Sequence, residues 1–546
     1  MSVRVRAISA LVLLSGFFLI GVVLLAVMAT VDWLLLTRFL VAQAAWLEAT
    51  LVTSTVLAAV VIVQGLVTFL RAGRLRPVPD AVPVGPDEEP ELWQAVREAA
   101  DAAGERAPDE LLLTAEVNAG VAEQSRLLGL LPGRRRLLLG LPLLAGLTLP
   151  QLRSVLAHEF GHYGNRDTRL GGVTMRGRTA VLHTVRMFQQ GSTGLHAVIG
   201  SLYVAYARVF LRSSQSVARA QEFAADRAAA RYAGRTATAS ALRTVPVVDT
   251  AYDHYLTTYA ELGARCGALP PRGEFYGGFR HLLAARTGDR LAALGAQRRP
   301  ERPHPYDSHP PMAERVARIE ELPEETIEEA IEEAIDESAE GLAGELAQES
   351  MDGERRDEVG ASPSGLSLLR DADAAFAALE ARALPAEVAG SQRMSWDGLA
   401  LSRSVADARE WAEPLRTATG RALHPASRQT RTEPGLAEVL DAFDDGLLWG
   451  DIADRMPRPY QAGRLTGASA RNFIRPALFD GLAGLALLHL VECGAATPDI
   501  AWSGTPGLAL PAHWEAGMDA AVDAAIADEP DTAPLRALLA QQAAVS

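Results

Sequence analysis

The sequence predicts a mainly α protein built in three parts. These are an N-terminal transmembrane helical hairpin, an α+β core with a short edge-strand sheet, and a separate α-rich C-terminal domain. Three observations carry this reading. Two long uncharged runs lie near the N-terminus. Two short apolar runs around a Gly- and Pro-containing turn precede a long helical stretch. A Trp-bearing, Ala/Leu-rich segment follows an acidic and then an aperiodic one. At 546 residues the chain is too long for one compact core.

The hairpin comes first. After Arg4 and Arg6, residues Ala7 to Thr30 carry no charge and are rich in Leu, Val, Ile and Phe, enough to span roughly 30 Å of hydrocarbon as a helix. A signal peptide would have a shorter apolar region and a small-residue cleavage site, and none is evident before Asp32 and Trp33. Ala49 to Leu70 is a second uncharged run. Arg71, Arg74 and Arg76 follow it, whereas the loop between the runs bears only Arg38. The positive-inside bias therefore places both ends in the cytoplasm and predicts a multi-pass plasma-membrane protein. Gly194 to Leu211 is a third apolar stretch. His196 and Arg208 weaken it, so it reads as membrane-embedded or as a buried or interfacial helix.

The parts are read as residues 1–75 (anchor), 76–322 (core), 323–365 (acidic helical and disordered linker) and 366–546 (C-terminal domain). Pro77, Pro79, Pro83 and Pro86 make a stiff exit from the anchor. A helix is expected from Glu88 to Ala103, and strands at Glu110 to Val117 and Arg136 to Leu144. In the linker, Ile327, Ile331 and Ile335 give one thin apolar stripe among paired glutamates, and Ser350 to Gly365 loses all periodicity. The last part holds five Trp and helical patterns that should fold on their own.

Charge is unevenly spread. The net charge is −15, from 52 basic and 67 acidic side chains, and every cation is Arg. The Lys-free composition points to a GC-rich bacterial source. Glu320 to Glu358 contains 17 acidic residues and two Arg, which alone gives 2 − 17 = −15. The rest of the chain balances to zero, which removes most of the support for nucleic-acid binding through a broad basic face. Cys266 and Cys493 are the two cysteines and show no framework spacing. That excludes a disulfide-stapled domain and speaks against a cysteine-based zinc site.

The chemistry is concentrated in TLPQLRSVLAHEFGHYG, Thr148 to Gly164. Thr148 and Gln151 have capping-box spacing, Pro150 suits a first turn, and Gly164 suits a helix stop. His158 and His162 lie four apart, so both imidazoles project from one face and can share one Zn²⁺ at about 2.0–2.1 Å each. Glu159 can reach a water at the metal without being a ligand: two ligands and a general base, the HExxH arrangement. At this chain's His and Glu frequencies, HExxH arises by chance on the order of one time in a hundred. Burying two His and a Glu among Val155, Leu156, Ala157 and Phe160 would also be a costly way to build a core.

Catalytic zinc needs a third protein ligand and an open fourth position. The helical segment SVARAQEFAADRAAARYAG offers Glu222, with Asp226 one turn on to hydrogen-bond a ligand His, and Arg219 on the same face. Alone, this segment would read as a solvated helix with i, i+4 charges. Joined to HEFGH in one chain, it reads as the missing ligand.

These motifs resemble a known family, the membrane zinc metalloproteases that include bacterial HtpX and the CAAX prenyl endopeptidase type. The resemblance covers about Leu75 to Leu322. It rests on Asn118-Ala119, LTLPQLRSVLAHEFGHYGNRD, RAQEFAAD and SHPPMAER, in the family's order. It implies a zincin-like, gluzincin-type core with one Zn²⁺ per chain, His158, His162 and Glu222 as ligands, and Glu159 as the catalytic residue. Asn118 and Ala119 would mark an edge strand that pairs with substrate backbone. His309 matches a position near the metal cleft, with a role at the oxyanion or in occluding the metal; as a bare sequence feature it is a Pro-flanked loop His. Relatives often carry two further spans between HEFGH and the ligand Glu. Here Arg169, Arg176, Arg178 and Arg186 speak against the first of these.

The implied function is a membrane-anchored zinc metalloendopeptidase acting on protein or peptide substrates at a lipid bilayer, with damaged or misassembled membrane proteins preferred. Nothing in the sequence encodes a prenyl pocket. The alternative is a membrane-anchored adaptor or latent protease whose zinc site is structural or occluded. The acidic insert reads as a soluble spacer; the sharper reading is that it controls access to the cleft. Deleting Glu324 to Glu349 separates the two in a cleavage assay. Unchanged rate and substrate range mean a spacer, and a changed range means access control.

Overall fold

A computed structural model describes residues 3–38, 45–71, 75, 77–124, 133–162, 177–178, 180–187, 195–297, 310–323, 362–424, 433–458 and 465–545. The chain is mostly helical, with one small sheet and two short strand pairs among these residues. It forms two compact units, neither a single stretch of sequence. The first joins Met1–Tyr252 with Gly288–Ala383, and the second joins Asp253–Thr287 with Leu384–Ser546. These divisions fall at different places from those read along the sequence.

The first unit opens with α1 (Val3–Arg38) and α2 (Ala45–Arg71). Within α1, Leu11–Leu34 is long and apolar enough to cross a bilayer, and α2 carries a shorter apolar stretch, Thr55–Phe69. Strand β1 (Val82–Val84) follows in the Pro-rich exit that the sequence suggests is only a linker. It pairs antiparallel with β2 (Glu110–Thr114), and its Pro83 is tolerated because β1 is an edge strand. Between them, α3 (Pro90–Ala102) buries Leu92, Trp93, Val96 and Ala99. Strand β3 (Ala119–Glu123) pairs antiparallel with β4 (Arg135–Gly140), which is parallel to β2. The order β1-β2-β4-β3 leaves β3 at the other edge.

Next come α4 (Leu141–Gly146), α5 (Leu149–Gly161), the 39-residue α6 (Leu195–Ala233), α7 (Arg235–Tyr255) and α8 (Met312–Glu320). The apolar first half of α6 packs on α1 and α2. Tyr203 stands edge-on to Phe17 at 5.0 Å, and the Tyr206 hydroxyl donates to the Leu13 carbonyl at 2.9 Å. Gly16 and Gly21 make room for these tyrosines, since a Cβ at either position would run into a hydroxyl. Leu19, Val22, Val56, Val63, Leu202 and Val209 remain exposed, giving this bundle an apolar outer surface.

Residues 324–361, which include most of the acidic insert and its isoleucine stripe, lie outside the described residues. The aperiodic stretch ends in ordered structure rather than in linker. The Leu149 N–H donates to the Pro363 carbonyl at 3.0 Å, and the Gly365 N–H donates to Leu147 at 2.9 Å. Gly365 is buried there because a Cβ would press on Leu152 and Leu144. The Arg370 N–H then donates to Glu89 at 2.8 Å, and α9 (Ala372–Ala383) completes the first unit.

In the second unit, β5 (Ala268–Leu269) pairs parallel with β6 (Gln392–Arg393). The longest helices are α10 (Trp396–Leu423), α11 (Leu436–Asp444), α12 (Gly467–Glu492), α13 (Ala512–Ala525) and α14 (Ala533–Val545). By length and composition α12 could also cross a membrane. Its Leu478, Leu482, Leu485 and Ala486 are instead buried in one core with Ala408, Ala412 and Leu415 of α10. Gly481 and Gly484 let the two helices approach, since a Cβ at either would meet α10 within 2.8 Å.

Segment 253–287 is built into this unit through Tyr259. Its ring stacks on Trp502 at 4.8 Å, and its hydroxyl is directed at the carbonyls of Gly504 at 2.7 Å and Ala501 at 3.1 Å. Tyr259 is fully buried. We expect Tyr259→Ala to destabilise the second unit by about 3–5 kcal/mol through cavity formation. Tyr259→Phe should cost only about 1 kcal/mol, the net value of the hydrogen bond. Urea unfolding followed by Trp fluorescence checks both values, and near-zero effects would mean the segment is not part of this core.

Candidate metal centre

Helix α5 is fixed at both ends. At its start, Thr148 and Gln151 form the expected capping box, with the Thr148 N–H donating to Gln151 Oε1 at 3.0 Å. Gln151 Nε2 also donates to Ser240 at 2.8 Å and Thr244 at 3.1 Å on α7, and the buried Ser154 and Thr238 hydroxyls meet at 3.0 Å. Leu152, Leu156, Ala157 and Phe160 face the core. The opposite face then carries His158, Glu159 and His162, with His162 at the C-cap still in αR geometry. The two imidazole centroids are 4.8 Å apart.

Glu222 comes from α6. The helices meet at Gly161, where a Cβ would lie 3.0 Å from the Ala225 Cα and 3.2 Å from the Ala228 Cβ. This close approach brings Glu222 Oε2 to 3.7 Å from His158 Nε2, and Oε1 to 3.9 Å from His162 Nε2. One donor atom from each of His158, His162 and Glu222 lies within 4.8 Å of the others. Two imidazole nitrogens and a carboxylate oxygen on two rigid helices fit a single divalent metal such as zinc, and the set leaves room for a fourth ligand.

Asp226, one turn along α6, has Oδ1 at 3.0 Å from His158 Nδ1. This contact leaves Nε2 as the nitrogen that faces Glu222. Burial pushes the Asp226 carboxyl up, but hydrogen bonds from Arg315 and His158 outweigh it and hold the carboxyl at about 2. Arg315, on α8, is buried and grips Asp226 with both Nε (2.9 Å to Oδ2) and Nη2 (2.6 Å to Oδ1). Its burial opposes the charge, yet Asp226, Glu222 and Glu159 together raise its pKa further.

These groups line a cavity of about 460 Å³. Asn118 and Ala119 form one wall, where β3 is the edge strand of the sheet among the described residues, and the Asn118 carbonyl accepts from Gly140 at 2.8 Å. Leu143, Val155, Leu242 and Val245 make an apolar wall. His158, Glu159, His162, Glu222, Asp226, Asn118 and Ala119 are thus brought together. Arg219 does not line the cavity: the face of α6 that carries it turns toward α8, where it pairs with Glu314. His309 lies outside the described residues. Arg315 is a site residue that the sequence does not single out, although it ends the SHPPMAER motif; nothing in its local context distinguishes it from a solvated helix cation.

Two helices that set an HExxH pair against a glutamate, beside an edge strand, define a metallopeptidase-type centre. Known proteins agree with this. Residues 86–323 match the family described as Peptidase family M48. The chain is 28% identical over 270 residues to a protease HtpX homolog of Kineococcus radiotolerans, covering 46% of this chain and 78% of that protein. It is 26% identical over 187 residues to a protease HtpX homolog of a Sulfurihydrogenibium species, covering 32% of this chain and 55% of that one. No solved structure matches. These likenesses support an HtpX-like M48 metalloprotease family for residues 86–323.

The contact at Gly161 generates a test. Gly161→Val should force α5 and α6 apart and move Glu222 away from the imidazoles. The expected result is a folded protein that retains less than half the wild-type metal after dialysis, measured by elemental analysis. Full metal retention would show that this contact does not set the site.

Proposed function

We propose that the protein is a membrane-anchored zinc metalloendopeptidase. The observation that carries this reading is the convergence of His158, His162 and Glu222 donors within 4.8 Å, with Glu159 on the same cavity. These three residues would hold a zinc ion, which when bound would supply Lewis-acid polarisation of the scissile carbonyl and lower the pKa of a bound water toward ~7. Glu159, on the same cavity, would accept a proton from the attacking water and pass it to the leaving amine. Asp226 holds the His158 ring through Nδ1. The β3 edge at Ala119 would take the substrate as an added strand, with Asn118 and Ala119 on the wall of the same cavity as Glu159.

In this reading α1, α2 and the apolar half of α6 form the membrane anchor. Their exposed Leu and Val side chains meet lipid, and the Arg flanks set the peptidase on the cytoplasmic side of the plasma membrane. Anchoring the site at the bilayer favours damaged or misassembled membrane proteins as substrates. The second unit is proposed to be an accessory domain appended to the peptidase.

The test is Glu159→Gln in the full chain. It should keep zinc, which Glu159 does not bind, and lose cleavage of casein or a model peptide by about 10²–10⁴-fold. Wild-type cleavage rates in that variant would remove Glu159 from the chemistry.

A further inference from the structure

Three carboxylates, Glu159, Glu222 and Asp226, line the cavity, and Arg315 is the one Lys or Arg among its described lining residues. Arg315 touches more of the site than its pair with Asp226. Nη1 lies 3.6 Å from Glu222 Oε2, and Nη2 lies 3.3 Å from His158 Nε2 and 3.5 Å from Nδ1. One guanidinium therefore reaches a candidate ligand His, the candidate ligand Glu and the Asp that orients the His.

Helix α8 is held where this is possible by contacts outside the cavity. Glu314 pairs with Arg219, the Arg318 guanidinium lies over the Phe223 ring at 3.8 Å, and Glu320 pairs with Arg243. The guanidinium is thus positioned by two neighbouring helices rather than by a flexible stem. A planar fork is well shaped for these contacts, because Nε and one Nη bind both Asp226 oxygens while the second Nη remains aimed at Glu222.

We propose that Arg315 is a positioning residue that balances the buried carboxylates of the site, fixing Asp226 against His158 and Glu222 against the imidazoles whether or not zinc is bound. The inference rests on the zinc reading for its second half only. Leaving like charges buried without their partner is strongly destabilising, and a divalent cation bound through Glu222, beside Asp226, offsets part of that loss. The dependence on Arg315 is therefore greatest in metal-free protein.

The test uses the full chain in detergent, with melting followed by intrinsic fluorescence in chelator and in saturating zinc. Arg315→Met should lower the melting temperature in chelator at least twice as much as in zinc. Arg315→Lys, which keeps the charge but not the fork, should fall between, and it serves where the Met variant does not fold without metal. Asp226→Asn combined with Arg315→Met should lose less in chelator than the sum of the single variants, because the charge needing a partner has gone. Equal losses with and without zinc, in a wild type that zinc does stabilise, would reduce Arg315 to a scaffold contact and overturn the proposal. A wild type that zinc does not stabilise would count against the zinc reading instead. The double-variant comparison needs no zinc, so additivity there overturns the charge-balancing role by itself, and non-additivity supports it.

Discussion

The crossing of α5 and α6 at Gly161 is the contact on which the rest of the site depends. A helix alone can bring two imidazoles onto one face, but it cannot supply a third ligand from the same turn without crowding. Here the candidate third ligand, Glu222, comes from a second helix, and the distance between helix axes decides whether its carboxylate arrives. With no Cβ at Gly161, α5 rests nearly on the backbone of α6 at Ala225, and Glu222 falls between His158 and His162. The energetic cost of bringing buried carboxylates together is met locally by His158 and Arg315 around Asp226.

Other parts of the first unit reinforce that crossing. Ser154 and Gln151 tie α5 to α7, and the segment at Pro363 to Gly365 pairs with the start of α5. The sheet contributes in a different way. Parallel pairing of β2 and β4 puts β3 at an edge, and that edge borders the cavity. In the proposed peptide hydrolysis the candidate ligands would activate and the edge strand would align the substrate. Helix α6 joins these features to the apolar bundle, because the 39 residues that end beyond Asp226 begin among the side chains packed on α1 and α2.

What is legible in the sequence is what local spacing encodes. The capping box at Thr148, the i, i+4 imidazoles and the strand cores at Glu110–Thr114 and Arg135–Gly140 depend on neighbours within a few residues, whereas Leu141 to Leu144, read as more strand, opens helix α4 instead. Glu222 and Asp226 are legible only because HEFGH supplies a reason to look for a partner helix. Features set by distant contacts are not. Strand β1 contains Pro83 in a Pro-rich stretch, so its pairing with β2 leaves no periodic trace. Residues 362–365 are aperiodic yet ordered, since their order comes from Leu147 and Leu149. Segment 253–287 reads as a continuation of the helical core, but its Tyr259 is buried against Trp502, some 240 positions away. Arg315 is the sharpest case, because its identity as a site residue exists only through its distance to Asp226.

The most direct measurement of the central claim is X-ray absorption spectroscopy at the zinc edge on the zinc-loaded full chain. Ligation by His158, His162 and Glu222 predicts a four-coordinate shell of light atoms, two imidazole nitrogens at about 2.0–2.1 Å and two oxygens, one from a carboxylate and one exchangeable with solvent. It also predicts that Glu222→Gln alters the oxygen part of that shell while leaving the two imidazoles. A shell with fewer than two imidazoles, or one closed by four protein ligands, would contradict it.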